Sequence, residues 1–251
     1  MLTSDAKPLD FLKATPAQVA SSWAKDEPII ALIGGGIHSK WARWSVIAPA
    51  TGERLTLDGS EAMTHLRNRL EEKESSSLLP NWIGYLGYEL GIVIEPAAAS
   101  LPKQDWPLVD LVWCDKALVH DSETNRWWSI GEVEPPAIKS QEDYSLTCSP
   151  LVDSRGDASF TSAVQKTVDY IHAGDIFQAN ITRRFTADIN GDIRSAALSM
   201  LGEEGGWFGA WMEFPEEGRF LFSMSPELFL QVNAETKEII TRPMKGTRPD
   251  H

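Results

Sequence analysis

The residues most able to do chemistry lie near the end of the chain. Glu227 follows Pro226 in "SMSPELF", and Lys245 stands in "RPMKGT" with Arg242 and Arg248 three residues to either side. A lysine held in a partly buried site can shed its proton and act as a nucleophile. A carboxyl group beside it can serve as general acid when burial raises its pKa. A proline close to each fixes the local backbone. Arg242, Lys245 and Arg248 carry no acid among them, a basic island in a chain of net charge −13. From the residues alone two readings stand: an anion site built around a lysine, or exposed side chains and a solvated charge cluster on a sheet surface.

Other chemistries find less support. The glycine run "ALIGGGIHS" follows an apolar segment, but a dinucleotide loop needs a third small residue that opens a helix. Ser39 stands there, and "KWARWSVI" reads as strand. The glycines of "GYLGYELG", residues 84, 87 and 91, suit close backbone packing and not a phosphate cradle. Cys114 and Cys148 have no metal-ligand or redox spacing, and the histidines at 38, 65, 120, 172 and 251 are scattered, so no metal site is expected from His and Cys. The acidity argues against non-specific nucleic-acid binding, which needs Lys and Arg to neutralise phosphate. The opening "MLTSDAKPLDFLKAT" has no apolar core, and no run reaches the roughly 20 apolar residues of a membrane span. A cytoplasmic protein with free thiols is expected.

The elements that must position these groups read as follows. Thr15-Pro16 starts a helix, and "IIALI" is a buried strand. "ARWSVIAPATGERLTLDG" is strand, turn and strand around Gly52. Ala62, Leu66 and Leu70 make one face of a helix. "LVDLVWCDKALVHDSETNRWWSIGEV" is expected to give two strands joined by a polar hairpin near Ser122 to Asn125. Residues 134–159 carry three prolines and little periodicity, which predicts a linker and a domain boundary near 145–155. A helix follows, capped by Ser159 or Asp157, with Phe160, Val164, Val168 and Ile171 on one face and Gly174 as terminator. "WFGAWMEF", "GRFLFSM", "ELFLQVN" and "KEIITR" are expected as an antiparallel meander, with Lys245 just past its last strand. So few elements in about 100 residues make a thin domain on size scaling.

"GDIFQANITRRF", "FSMSPELFLQV" and "TRPMKGTRP" occur in that order and at close spacing. Together they resemble the chorismate-utilising enzymes: component I of aminodeoxychorismate synthase, component I of anthranilate synthase, and the isochorismate and salicylate synthases. "WARWSVIAP" and "WIGYLGYELG" resemble that family's first domain, so the likeness covers nearly the whole chain. It implies an α+β fold of antiparallel sheets with flanking helices, anthranilate-synthase-like and incomplete at the C-terminus. It divides the chain into an N-terminal domain, 1–148, and the first part of a chorismate-binding domain, 149–251.

Within the family, anthranilate synthases typically have Ala at the position of Lys245. A lysine there is similar to aminodeoxychorismate synthases, where it attacks C2 of chorismate as the C4 hydroxyl leaves; ammonia then adds at C4 and displaces it. The resemblance implies Glu227 as the acid for the departing hydroxyl. It implies substrate contacts from Gln178, Arg242, Gly246 and Thr247. Isochorismate synthases carry a water-activating lysine at the position of Gln178, and a neutral Gln disfavours water as the nucleophile. Chorismate is a dianion, which suits the basic island.

Two departures accompany the likeness. Relatives that bind tryptophan use a small polar residue after the first strand and a proline before a later one; Gly34 and Trp207 stand at those places. The expectation is that the free-tryptophan pocket is absent, filled by Trp207 itself. The family also runs considerably longer, and the acidic ligands that hold Mg²⁺ are not seen in this sequence. The function expected is amination of chorismate at C4 to 4-amino-4-deoxychorismate, for p-aminobenzoate and folate synthesis, with a glutamine amidotransferase partner, the chain being inactive alone. The alternatives are an anthranilate synthase component I, and a non-catalytic fragment or split-enzyme subunit completed in trans.

Overall fold

A computed structural model describes residues 6–34, 42–72, 79, 81–96, 105–139, 145–203, 207–233 and 235–244. By contacts the chain forms two compact units, one of Met1–Glu142 with Ala197–His251 and the other of Asp143–Ala196.

The first unit opens with β1 (Lys7–Pro8) and α1 (Pro16–Ser21). Thr15 caps α1 as its sequence predicts. Its hydroxyl accepts from the Gln18 N–H at 3.3 Å, and the Gln18 side chain accepts the Thr15 N–H at 2.9 Å. This is a capping box, with Pro16 at the first helical position where a missing N–H costs nothing. There follow β2 (Ile29–Ile33), β3 (Trp44–Pro49), β4 (Arg54–Leu57), α2 (Ala62–Glu72), β5 (Trp82–Leu86), α3 (Leu90–Ile94), β6 (Val109–Trp113), β7 (Ala117–Asp121) and β8 (Arg126–Ile130).

The second unit contains β9 (Leu146–Cys148), β10 (Val152–Asp153), α4 (Asp157–Ala173), β11 (Phe185–Thr186) and β12 (Ile189–Gly191). Strands β9 and β12 pair antiparallel, as do β10 and β11. The stretch expected as a linker therefore contributes two short strands. Gly156, and neither Ser159 nor Asp157, occupies the cap position of α4. Asp157 is the first helical residue, where its charge faces the positive end of the helix dipole. The terminator is Gly174, left-handed at φ 83°, with the Gly174 and Asp175 N–H groups donating to the Ile171 and Tyr170 carbonyls.

The chain then forms α5 (Ile193–Glu203), β13 (Phe208–Phe214), a 3-10 turn (Pro215–Glu217), β14 (Arg219–Ser225), β15 (Leu228–Val232) and β16 (Ile239–Arg242). A seven-stranded antiparallel sheet runs in the order β1-β8-β7-β3-β2-β13-β14, and β4-β6-β5 form a three-stranded sheet. The two sheets enclose a core. Ile30, Ala48, Val119, Met212 and Phe214 come from the larger sheet, and Ile83, Val112 and Cys114 from around the smaller. Helices α2 and α3 cover the far face of the smaller sheet, Ala62, Leu66 and Leu90 packing with Val109 and Leu111. Leu70, expected on that face, is exposed.

Three expectations change in the fold. The strand–turn–strand around Gly52 is not a hairpin within one sheet: β3 and β4 belong to different sheets. The long strand expected over 108–121 breaks at Cys114, and its halves β6 and β7 also go to different sheets. The expected four-strand meander is divided as well. The β13–β14 hairpin extends the large sheet beside β2, while β15 and β16 form a separate two-stranded ribbon. Pro226 lies between β14 and β15, and a residue without an N–H cannot continue the ladder. The α+β class with antiparallel sheets and flanking helices is the class observed.

Candidate functional site

Glu227 sits in the two-residue corner between β14 and β15. Ser225 shapes that corner: its hydroxyl accepts from the Glu227 N–H at 3.3 Å and donates to the Glu227 carbonyl at 3.2 Å. Glu227 is half-buried there. In the ribbon, Leu228 lies opposite Arg242, and the Thr241 hydroxyl donates to the Phe229 carbonyl at 2.7 Å. Antiparallel pairing thus carries Glu227 and Arg242, fifteen positions apart in the chain, to one end of the same ribbon. Lys245, Gly246 and Thr247 lie outside the described residues.

Gln178 belongs to the second unit. It is exposed in an irregular segment between α4 and β11. That segment is held at both ends, by the Gly174 terminus of α4 and by Arg183. The Arg183 guanidinium pairs with Asp153 and Asp157 and lies over the rings of Phe160 and Phe185 at 5.2 and 5.0 Å. Both carboxylates hold that guanidinium charged, and its pKa is raised.

Gly34 and Trp207 come to the same end of neighbouring strands, because β2 pairs with β13 with Ile33 opposite Gly209. Gly34 is in tight quarters. A methyl group built there would stand 2.8 Å from the Trp44 carbonyl oxygen and closer still to that of Ala42. Polar contact at this place comes instead from Ser45, whose fully buried hydroxyl accepts from the Gly34 N–H at 3.1 Å and donates to its carbonyl at 3.2 Å. Trp207 is half-buried just ahead of β13.

Among the described residues no group of three or more His, Cys, Asp and Glu side chains is placed to hold a metal ion. A cavity of about 240 Å³ lined by Thr51, Gly52, Arg54, Phe214 and Glu216 adjoins both sheets. Its cation, Arg54, is committed to structure: it pairs with Asp110 and Glu216 and stacks 5.2 Å from the Phe214 ring centre.

Sequence reasoning missed the buried ion pairs. Asp110 and Asp121 are almost fully buried in strands. Arg43 grips Asp121 with two hydrogen bonds of 2.6 Å, and Thr124 donates a third of 2.8 Å. The Arg43 guanidinium, with these bonds, holds the Asp121 carboxyl down at about 2. The signal was an aspartate inside or ending an apolar run, "LVDLVW" and "ALVHD", since a charge there requires a buried partner.

With this geometry in hand, comparison with known proteins defines the class. Residues 39–251 match the family described as chorismate binding enzyme, and the chain belongs to that family. Aminodeoxychorismate synthase component 1 of Escherichia coli (strain K12) is 32% identical over 178 residues, 66% of this chain and 38% of that protein. The protein of the same name from Klebsiella aerogenes is 27% identical over 237 residues, 89% of this chain and 50% of that protein. The fold resembles the crystal structure of anthranilate synthase component I from Streptococcus pneumoniae TIGR4, with a TM-score of 0.63 at 17% identity, covering 84% of this chain and 55% of that one. The chain thus spans half or less of the length of these two curated relatives.

Proposed function

We propose that this chain supplies part of an aminodeoxychorismate synthase component I, which aminates chorismate at C4. In this reading Lys245 forms a bond to C2 of chorismate while the ring double bond shifts and the C4 hydroxyl departs. Glu227 gives that hydroxyl its proton, so that it leaves as water. Ammonia then attacks C4, the double bond shifts back and the lysine amine is released, leaving 4-amino-4-deoxychorismate. Arg242, with Gly246 and Thr247, serves the substrate carboxylates, and Gln178 offers no base to activate water. Ammonia comes from a glutamine amidotransferase partner, and the product feeds p-aminobenzoate and folate synthesis. The 1–148 part would be the N-terminal domain and 149–251 the first part of the chorismate-binding domain.

The observation that carries the reading is the ribbon register, which sets the Ser-Pro-Glu corner beside Arg242, three residues before Lys245. The relatives named above support it at modest identity. A second reading, anthranilate synthase component I, is favoured by further relatives of that name.

The test supplies chorismate and ammonia to this chain, alone and together with the part of the E. coli relative that follows its aligned segment. Chromatography separates para-aminated from ortho-aminated product. The reconstituted sample is expected to yield the para product and Lys245→Ala to abolish it. An ortho product, or turnover unchanged by Lys245→Ala, would overturn the assignment.

A further inference from the structure

The β7–β8 hairpin is built over a buried histidine. His120 lies in β7 and is 6% exposed. Its partners across the strands are Ser45 on β3 and Trp127 on β8. The Trp127 ring, fixed by donating to the Ala14 carbonyl at 3.0 Å, stands 4.8 Å from the imidazole. Nε2 of His120 lies 3.1 Å from the side-chain oxygen of Asn125. That oxygen can only accept, so Nε2 carries the proton and Nδ1 a lone pair. Nδ1 is buried, and among the described residues nothing lies within hydrogen-bond reach of it.

A second proton on this ring would have to sit on Nδ1, as a buried donor without an acceptor and a charge out of water. Burial accordingly pushes the imidazole pKa down, against the Asn125 hydrogen bond and the Asp121 charge. The surroundings supply little else. Ser45 and Trp127 do not titrate in this range, and α1 carries no charged residue. Asp121 points to the opposite face of β7 and is gripped by Arg43, which also pairs with Glu123 at 2.6 Å. Asp10 and Arg126 pair with each other at the surface, and Lys13 is exposed.

The same turn holds the start of β3. The Ser122 N–H and hydroxyl both donate to the Arg43 carbonyl, at 3.0 and 2.9 Å, while the Arg43 guanidinium binds Asp121. Trp44 then pairs with Asp121, and the Ser45 hydroxyl bonds both main-chain groups of Gly34. The hairpin thus braces the end of the large sheet at which Gly34 stands. We propose that it is an acid-sensitive clasp: proton uptake by His120 favours an opened turn that releases Arg43 and the start of β3. The opened ring, in water, titrates near ~6.5, and the closed one resists the proton. The clasp is therefore at full strength above about pH 6.5 and weakens progressively below it. Asp121, with its pKa at about 2, stays charged throughout that window.

Hydrogen exchange of the native chain at pH 7.5 and 5.5, read by mass spectrometry and corrected for the intrinsic chemical rate, tests the clasp. An opened imidazole of pKa ~6.5 is about tenfold more often cationic than neutral at pH 5.5, so opening should rise by up to about tenfold there. The rise is expected at 43–48 and 117–130 and not at β6. His120→Gln keeps a donor for Asn125 and takes up no proton, so its corrected exchange should be equal at the two pH values. NMR titration of the parent's imidazole protons needs no variant, and a His120 midpoint below 6.5 is expected. The proposal is overturned by corrected exchange at 43–48 and 117–130 that is indifferent to pH, by the same rise in His120→Gln, by an equal rise at β6, or by a His120 midpoint at or above 6.5.

Discussion

Replacing Asp121 by Asn removes one charge from a site built to hold it. The carboxylate is 1% exposed and accepts from the Arg43 guanidinium twice, from the Thr124 hydroxyl, and from the Glu123 N–H at 3.1 Å. Its pKa falls from 3.8 to about 2. At about 1.4 kcal/mol per unit, that shift corresponds to ~2.5 kcal/mol of stability at neutral pH. The Arg43 side chain is 38% exposed, so water screens part of the attraction. A loss of about 1–2 kcal/mol is expected, a lowering of Tm by roughly 2–8 °C for a chain of this size. Because the folded pKa lies below the unfolded one, this stability is fully present above about pH 4. It is lost as the pH falls toward about 2, as both states become protonated. Urea unfolding of both proteins at pH 7, 4 and 3 measures it. The gap between them should be full at pH 7 and visibly smaller at pH 3. A gap under about 0.3 kcal/mol at pH 7, or one that widens on acidification, would refute the reasoning, since surface substitutions alone stay within ~0.5 kcal/mol.

Three further outcomes are expected. Gly34→Ser should lower Tm by several degrees, because its Cβ must push aside the carbonyls of Ala42 and Trp44, main-chain atoms that cannot rotate away; a thermal melt equal to that of the parent would contradict it. Tryptophan titrated by calorimetry should show no saturable micromolar binding, as Gly34 and Trp207 replace the residues expected at such a pocket, whereas a micromolar isotherm would restore it. Iodoacetamide at pH 8 should label Cys148, which is exposed, and spare Cys114, whose thiol burial pushes up to about 12. Mass spectrometry then reads one adduct in the native chain and two after urea, and equal labelling of both in the native state would count against a buried Cys114.

How much of this was legible before any coordinates is clearest at particular residues. Local signals were sound where the cause was local. Thr15-Pro16 capped a helix because its partners lie three residues away. Gly174 ended α4 because only its own turn was involved. The ordered motifs from 174 to 249 declared a chorismate-binding family because they are strings of residue types and need no geometry. The ion pairs of Arg43 with Asp121 and Arg54 with Asp110 span 78 and 56 positions, and nothing in the text around either arginine names its acid.

The sequence by itself determined the α+β class and the family, and it put forward Glu227 and Lys245 as candidate site residues. Which strands share a sheet was a tertiary decision. Period-two patterning shows that β3, β4, β6 and β7 are strands, but hydrogen-bond partners are chosen by burial on a whole face, so each consecutive pair parted into two sheets. The expected meander broke at Pro226, whose missing N–H cannot continue the ladder. One hairpin found a core beside β2, and the separate ribbon of β15 and β16, which begins just after Glu227 and ends at Arg242, exposes Phe229, Leu230, Val232 and Ile239.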